Sequence, residues 1–500
     1  MNNGRICIPV LGRTAEEMID QIRLAEGKAE LIELRLDHLD DVGEKTLDAI
    51  FAIKGKTPWI ATFRPKEQGG DRDLTRDVRE AFWSSDRIPE FIDVEEDIAS
   101  VALSLPATRI YSHHDFSGVP EDLAEIFLRL SKLGEGIVKI AGAVNDSTAA
   151  IPIWRLLDLA EAISQPVIPV AMGEAGKWTR ILGLAHGAFL TYASLETGNE
   201  TAPGQISVEE MRDVYRAKEL DKTTDVYGII AGNTGYTVSP VMQNAAFKAA
   251  GINAVFIPFQ VRDLDEFIRR VVKSDTREIE LNLKGFAVTN PHKQSIIPYL
   301  DEIDETARKI GAVNTVNIDG EKLYGSNTDA FGFIEPLKGS AGDLQNARVA
   351  VFGAGGAARA VIYALKEEKA DVTLFVREPR KACDLKEEFG VSLQRLPSEH
   401  QPLPGEPDII VNTTPLGTKG QQEKASIATA EQLNGAKLVY DLVYNPIETR
   451  LMQEAKKAGV TAINGLEMII RQGSRQFKTW TGNEAPVDEM RAAVIKKFFS

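Results

Sequence analysis

The stretch ARVAVFGAGGAARAVIYAL, residues 347–365, decides how the second half of the chain folds. A short β-branched run leads into a glycine turn, and an alanine-rich helical segment leaves it. In such a unit the first glycine permits the tight bend, the second lets the backbone approach a pyrophosphate, and a small third residue lets helix pack on strand. Gly353, Gly355 and Ala358 take those places, with Ala354, Gly356 and Ala357 among them. Glycines alone mark only a turn; the flanking strand and helix patterns make this one a dinucleotide loop. Roughly 20 residues on, where an NAD-binding chain sets an acid against the ribose, this chain has Arg377, with Arg380 and Lys381 behind it. Cations there favour the 2′-phosphate of NADP. The alternative is a solvated basic corner, since Glu378 is adjacent.

Outward from the loop, DVTLFVR (371–377), PDIIVNTTP (407–415) and KLVYDLVY (437–444) continue a doubly wound α/β pattern. Upstream, a separate alternating series runs from VYGIIAG (226–232) to NLKGFAVT (282–289). The first 195 residues differ again. Short apolar runs at 6–10, 31–36, 59–64, 91–95, 109–115, 137–141, 167–173 and 188–193 alternate with amphipathic segments. That rhythm predicts a closed parallel (β/α)8 barrel, with an open sheet as its rival. Residues 199–224 read as the last barrel helix and a linker. The expected domains are therefore a barrel (1–222), a substrate-binding domain (223–335, completed by 466–500) and a Rossmann-type NADP domain (336–465).

A chain of 500 residues suits several cores. No run is long enough for a bilayer span, and the first residues lack a signal-peptide core, so the expected compartment is the cytoplasm. A net charge of -15 argues against nucleic acid and anionic membranes as partners. Basic residues at strand ends then point to small anionic substrates. Cys7 and Cys383 are the only cysteines, which suggests neither a disulfide framework nor a metal site.

Lys139 sits inside the apolar strand IVKIA, and desolvation makes a lysine a nucleophile toward carbonyls. One strand earlier, His114 and Asp115 end RIYSHHD, where a barrel gathers its catalytic groups. Arg35, Arg64 and Arg180 end or follow three other strands. A lone lysine or histidine is usually a rim residue or a strand cap. Several cations around one lysine favour a Schiff-base site for an anionic keto substrate.

The motifs IELRLDH (32–38), ATFRPKEQGG (61–70), SHHDF (112–116), VKIA (138–141) and TAPGQI (201–206) resemble the type I 3-dehydroquinate dehydratase family. The resemblance implies that Lys139 forms an imine with the substrate ketone, and that His114 removes the adjacent proton and assists loss of water. It further implies that Glu33 and Arg35 orient hydroxyls, that Arg64 and Arg180 bind polar groups and the carboxylate, and that Thr201 and Gln205 serve the lid side. Glu67 and Gln68 stand where the family has one Glu before the paired glycines, so either can fill its role. Thr201 replaces a Ser, and His113 is an additional imidazole, read as structural.

From residue 226 onward, YGIIAGNTGYTVSPVMQNAAF (227–247), VTNPHK (288–293), GAVNTV (311–316), GSNTDAFGF (325–333), VNTTPLG (411–417), YDLVYNPIET (440–449) and NGLEMIIRQ (464–472) resemble the shikimate dehydrogenase family. This implies that Lys293 and Asp329 form a catalytic pair for reducing a ketone with NADP. It implies that Thr237 and Ser239 bind the carboxylate, and that Thr289, Asn314, Tyr444 and Gln472 contact the substrate. Tyr236, Thr237, Ala287 and the Val376–Glu378 stretch depart from the family pattern, which leaves room for relaxed substrate or cofactor preference. Together the resemblances imply dehydration of 3-dehydroquinate to 3-dehydroshikimate and its reduction to shikimate. An NAD-dependent fusion working in quinate catabolism and a noncatalytic metabolite sensor are the rival readings. Oligomeric state is left open.

Overall fold

The structure, a computed structural model, describes residues 2–83, 87–196, 198, 202–397 and 401–499. The chain forms two compact units, Met1–Thr237 with Asn253–Leu283, and Val238–Ile252 with Lys284–Ser500.

In the first unit the eight expected strands form. They are β1 (Ile6–Val10), β2 (Leu31–Arg35), β3 (Trp59–Thr62), β4 (Phe91–Glu95), β5 (Thr108–Asp115), β6 (Gly136–Ala143), β7 (Val167–Met172) and β8 (Thr191–Tyr192). They are hydrogen-bonded in the order β7-β6-β5-β4-β3-β2-β1-β8, and every pair is parallel. The ring nearly closes, for Phe189 N donates to Val167 O at 2.8 Å just before β8. Side chains alternate along a strand, so each contributes every second residue to the interior. Leu31, Ile60, Ile110, Ile137, Ile168 and Leu190 fill the end nearer the strands' starts with apolar bulk. Two residues further along, the same face carries Glu33, Thr62, Asp93, Ser112, Lys139 and Tyr192, all buried.

The expected last barrel helix is shorter than its charged sequence suggests. It is one π-helical stretch, Glu210–Val214, and Arg216 leaves it at φ 50. Arg216 Nη2 then donates to the carbonyl of Ala254 at 2.8 Å. That residue opens β10 (Ala254–Gln260), which pairs in parallel with β9 (Asp225–Ala231). Phe259 of β10 packs 6.2 Å from the ring of Trp178, and Asp146 Oδ2 accepts from Arg262 N at 2.6 Å. Such contacts are why the first unit runs past residue 222.

The second unit contains a mixed part and a doubly wound part. In the mixed part β11 (Leu283–Val288) pairs antiparallel with β13 (Thr315–Asp319), β13 with β14 (Lys322–Ser326), and β12 (Glu302–Ile303) lies parallel to β14. The doubly wound sheet has the order β17-β16-β15-β18-β19-β20. Its strands are β15 (Arg348–Phe352), β16 (Asp371–Val376), β17 (Ser392–Arg395), β18 (Ile409–Asn412), β19 (Leu438–Asp441) and β20 (Thr461–Ile463). All its strand pairs are parallel, and the order in which strands are added reverses between β15 and β18, which opens the crevice where such sheets take ligands. The helix Leu466–Thr481 returns to the mixed part: Gln243 Nε2 donates to Gly473 O at 3.0 Å, and Phe247 meets Phe477 at 5.5 Å.

Candidate active sites

Lys139 projects from β6 into the barrel and is 4% exposed. Its ammonium is not surrounded by apolar groups, as the strand sequence alone suggests. Nζ donates to Asp93 Oδ2 at 2.8 Å and to the Tyr192 hydroxyl at 3.0 Å, and Glu33 Oε1 lies at 3.6 Å. Asp93 in turn pairs with Arg64 at 2.6 Å and accepts from Ser112 at 2.5 Å. Burial opposes its charge, yet Arg64 and Lys139 hold its carboxyl far below the usual range. Glu33 also accepts from Thr62 at 2.7 Å. Glu95 lies between Arg64 (3.3 Å) and Arg79 (3.1 Å). Burial, helped by Asp93, nevertheless pushes its carboxyl up to about 7.

His114 is buried on β5, and its Nδ1 has no hydrogen-bond partner among the described residues. Burial and the cations Arg64 and Lys139 hold the imidazole well below its ordinary value, so it is a neutral base at neutral pH. The side chain beside it is Gln68, whose Oε1 accepts from His114 N at 2.9 Å, while Glu67 is exposed. Gly70 explains the paired glycines, because a Cβ there would stand 1.9 Å from the Arg64 carbonyl oxygen. Arg35 is committed to Asp37 through two hydrogen bonds of 3.0 and 2.7 Å, and to the Gly69 carbonyl at 3.0 Å.

Arg180 is different. It lies on the helix Lys177–Leu182, is 3% exposed, and its Nε and Nη2 meet no partner among the described residues. Burial pushes its guanidinium down to about 10, opposed only by Tyr192. A buried cation with unsatisfied donors is a seat for an anion. Gln205 is buried on the loop after β8. Gly204 of that loop packs so tightly on Gly173 that a Cβ would lie 2.1 Å from its carbonyl oxygen. Thr201 lies outside the described residues.

In the second unit Lys293 Nζ donates to Asp329 Oδ2 at 2.5 Å. Asn314 Nδ2 holds the other carboxylate oxygen at 2.8 Å and Thr328 Oγ1 at 2.9 Å, and it reaches Gln472 Oε1 at 3.5 Å. These residues come from four segments and form one largely buried polar cluster. Lys293 also borders the dinucleotide loop, since a Cβ on Gly356 would touch its Cδ at 3.1 Å. Ser239 is buried at the first turn of the helix Ser239–Ala249. Thr289 is half-buried after β11, Tyr444 packs edge-on to Phe498 at 6.4 Å, and Thr237 ends the first unit's opening segment.

The glycine loop leaves β15 with Gly353 at φ 113, where a Cβ would meet Thr413 Oγ1 at 2.5 Å. Gly355 faces open space and caps the helix Gly356–Glu367, whose first N–H groups point outward from it. Ala354 is exposed and Ala357 half-buried beside it. Arg377 and Arg380 are exposed and have no carboxylate partner among the described residues, whereas Lys381 pairs with Glu378 at 3.0 Å. An anion-ready helix start and two uncommitted arginines at the end of β16 fit a phosphorylated dinucleotide.

Sequence reasoning missed Asp93, Glu95 and Tyr192. The run FIDVE carried a signal, two carboxylates two residues apart within an apolar strand. It also missed Asn412 and Asp441, whose 2.9 Å bond ties the ends of β18 and β19.

A lysine-centred barrel joined to a dinucleotide-type α/β fold with its own lysine–aspartate pair defines a two-site enzyme, a lyase fused to a dehydrogenase. Comparison with known proteins makes this specific. Residues 6–222 match the type I 3-dehydroquinase family, 229–316 the shikimate dehydrogenase substrate binding domain, and 465–495 the shikimate 5'-dehydrogenase C-terminal domain. The chloroplastic bifunctional 3-dehydroquinate dehydratase/shikimate dehydrogenase of Arabidopsis thaliana is 33% identical over 99% of this chain and 85% of its own. The NADP(+) shikimate dehydrogenase of Methanopyrus kandleri is 38% identical over 55% of this chain and 97% of its own. A shikimate dehydrogenase solved in complex with NADP+ superposes with a TM-score of 0.51 at 39% identity, covering 56% of this chain and 97% of that one. The chain belongs to the family of bifunctional 3-dehydroquinate dehydratase/shikimate dehydrogenases. Among the described residues no helix is long and apolar enough to cross a membrane.

Proposed function

We propose that the barrel dehydrates 3-dehydroquinate to 3-dehydroshikimate through an imine on Lys139, and that the second unit reduces this product to shikimate with NADPH. The observation that carries the reading is that each lysine is held beside the groups its chemistry needs. Lys139 shares the barrel interior with neutral His114 and a partnerless Arg180, and Lys293 is bonded to Asp329 beside the dinucleotide loop. The division of labour follows 1–222 for the dehydratase, 223–335 with 466–500 for the second substrate, and 336–465 for NADP.

In the barrel, Arg180 seats the carboxylate, and Glu33, Arg35 and Arg64 orient the ring's polar groups, with Thr201 and Gln205 on the lid side. Once Lys139 has condensed with the ketone, the iminium accepts the electron pair left when His114 removes the adjacent proton. An enamine forms, and its collapse expels the hydroxyl, to which His114 returns the proton. In the second unit Asp329 fixes Lys293, which delivers a proton to the carbonyl oxygen. Thr237, Ser239, Thr289, Asn314, Tyr444 and Gln472 orient the substrate. NADPH, when bound, supplies the reducing equivalent. Gly353, Ala354, Gly355, Gly356 and Ala357 would hold its pyrophosphate, and Arg377, Arg380 and Lys381 its 2′-phosphate. A reducing compartment such as the cytoplasm suits the two free thiols, Cys7 and Cys383.

The test has two arms. Borohydride added during turnover of 3-dehydroquinate should fix a substrate adduct on Lys139, and its absence by mass spectrometry refutes the imine. Lys293→Ala should abolish most NADPH-dependent reduction while sparing dehydration; an unchanged reduction rate refutes the second assignment.

A further inference from the structure

We propose that Tyr192 is a catalytic residue of the barrel, its hydroxyl carrying a proton from the Lys139 nitrogen to the oxygen that leaves the substrate ketone. This rests on the imine reading above and adds a step to it. The chemistry requires a local carrier. An ammonium and a ketone give an iminium and water with no net gain or loss of protons. The lysine nitrogen must first shed a proton to expose its lone pair. After the C–N bond forms, the oxygen must gain protons before the C–O bond breaks and water departs. A group that touches Nζ, accepts from it and donates to the oxygen on the carbon under attack closes that circuit.

Three protein oxygens lie near Nζ. Asp93 is fully engaged, with Arg64 at 2.6 Å and Lys139 at 2.8 Å on Oδ2 and Ser112 at 2.5 Å on Oδ1. Arg64 and Lys139 stabilise its charge, so it holds the lysine and takes no proton. Glu33 stands at 3.6 Å and is bonded to Thr62. The Tyr192 hydroxyl, 3.0 Å away, accepts from Nζ, and among the described residues no acceptor takes its own hydrogen. It is thus a buried hydroxyl with one donor unspent, 5% exposed. Burial and the surrounding carboxylates hold it well above the usual phenol range, so it passes protons on without ionising. The ring also lies under the ammonium, with Nζ 4.5 Å from its centre, which fixes the nitrogen over the hydroxyl side of β8. Tyr192 is also the group that partly offsets the effect of burial on Arg180, the proposed carboxylate seat.

The test uses the full chain, with urea denaturation followed by tryptophan fluorescence as the check of folding, since Trp59, Trp83, Trp154 and Trp178 lie in the same unit as Tyr192. Tyr192→Phe keeps the ring and removes the hydroxyl. Borohydride trapping at short times should show adduct on Lys139 forming about 100-fold more slowly than in the wild type. With substrate deuterated at the carbon His114 attacks, the isotope effect on turnover should fall toward unity, because imine formation now limits. A variant merely loosened in its packing would keep that isotope effect. Wild-type adduct formation should itself show a normal solvent deuterium isotope effect, a measurement independent of how the variant folds. If wild-type Lys139 is never trapped, the imine reading fails. If it is trapped, and Tyr192→Phe forms adduct equally fast or the wild type shows no solvent isotope effect, the relay is overturned while the imine stands.

Discussion

Replacing Arg180 with methionine should make the first unit more stable and its dehydratase far worse. The guanidinium is 3% exposed with Nε and Nη2 unpartnered among the described residues, and burial lowers it from its ordinary value to about 10. Each tenfold change in acidity corresponds to about 1.4 kcal/mol, so holding this charge costs the substrate-free fold about 3 kcal/mol. The sign follows from a cation whose folded-state value is depressed: the penalty applies wherever the group is charged, hence undiminished from acid to neutral pH. Methionine keeps most of the apolar stem and removes the charge, so a gain of about 1–3 kcal/mol is expected. Substrate loses at the same time the charge-assisted hydrogen bonds its carboxylate would make, about 1.5–3 kcal/mol each. Two such bonds amount to a loss in kcat/KM of about a thousandfold. Denaturation by urea, followed by tryptophan fluorescence, reports on the right unit, because Trp59, Trp83, Trp154 and Trp178 lie in the first unit and Trp480 in the second. A variant that is less stable than the wild type and dehydrates within tenfold of its rate would show that Arg180 is an internal structural cation.

Three further outcomes are expected. Removing the side chains of Arg377 and Arg380 together should raise the KM for NADPH about tenfold or more while leaving that for NADH nearly unchanged, since neither arginine is bonded to a carboxylate among the described residues; equal effects on both cofactors would move the 2′-phosphate elsewhere. Gly70→Ala would force the Arg64 carbonyl, 1.9 Å from the new Cβ, to move, lowering stability by about 2 kcal/mol or more. Dehydration should fall with it and reduction should not, as parallel assays on one preparation can check. Because burial and nearby cations depress His114, kcat/KM for dehydration should stay level as pH falls through 6.5 and decline only below it. The same depressed imidazole contributes stability that is present above its unfolded value and lost as pH drops through the folded one. A decline centred at or above 6.5, abolished by His114→Asn, would refute the buried neutral base.

Barrel and glycine loop were legible because each depends on neighbours in sequence. Period-two and helical patterns lie along the chain, and Gly353, Gly355 and Ala358 do their work within one turn. Lys293 with Asp329 was legible only through a family pattern, for nothing local links residues 36 apart. The barrel's polar layer was harder still. Lys139 was visible as an oddity in an apolar strand, but its environment is built across strands, from Glu33 on β2, Asp93 on β4 and Tyr192 on β8. A single strand shows which residues share a face; only the parallel register, which sets Ser112 beside Lys139 and Glu95 beside Ser112, shows what meets what. Hence the expectation of a desolvated lysine was incomplete. Its charge is met by Asp93, and among the described residues the cation of the site left without a partner is Arg180, on a short helix outside the strands. That asymmetry has a physical reading. A lysine needed for covalent chemistry must be held in place by protein groups before substrate arrives, whereas an arginine that recognises substrate keeps its hydrogen bonds for the ligand and carries the penalty of burial until the carboxylate comes.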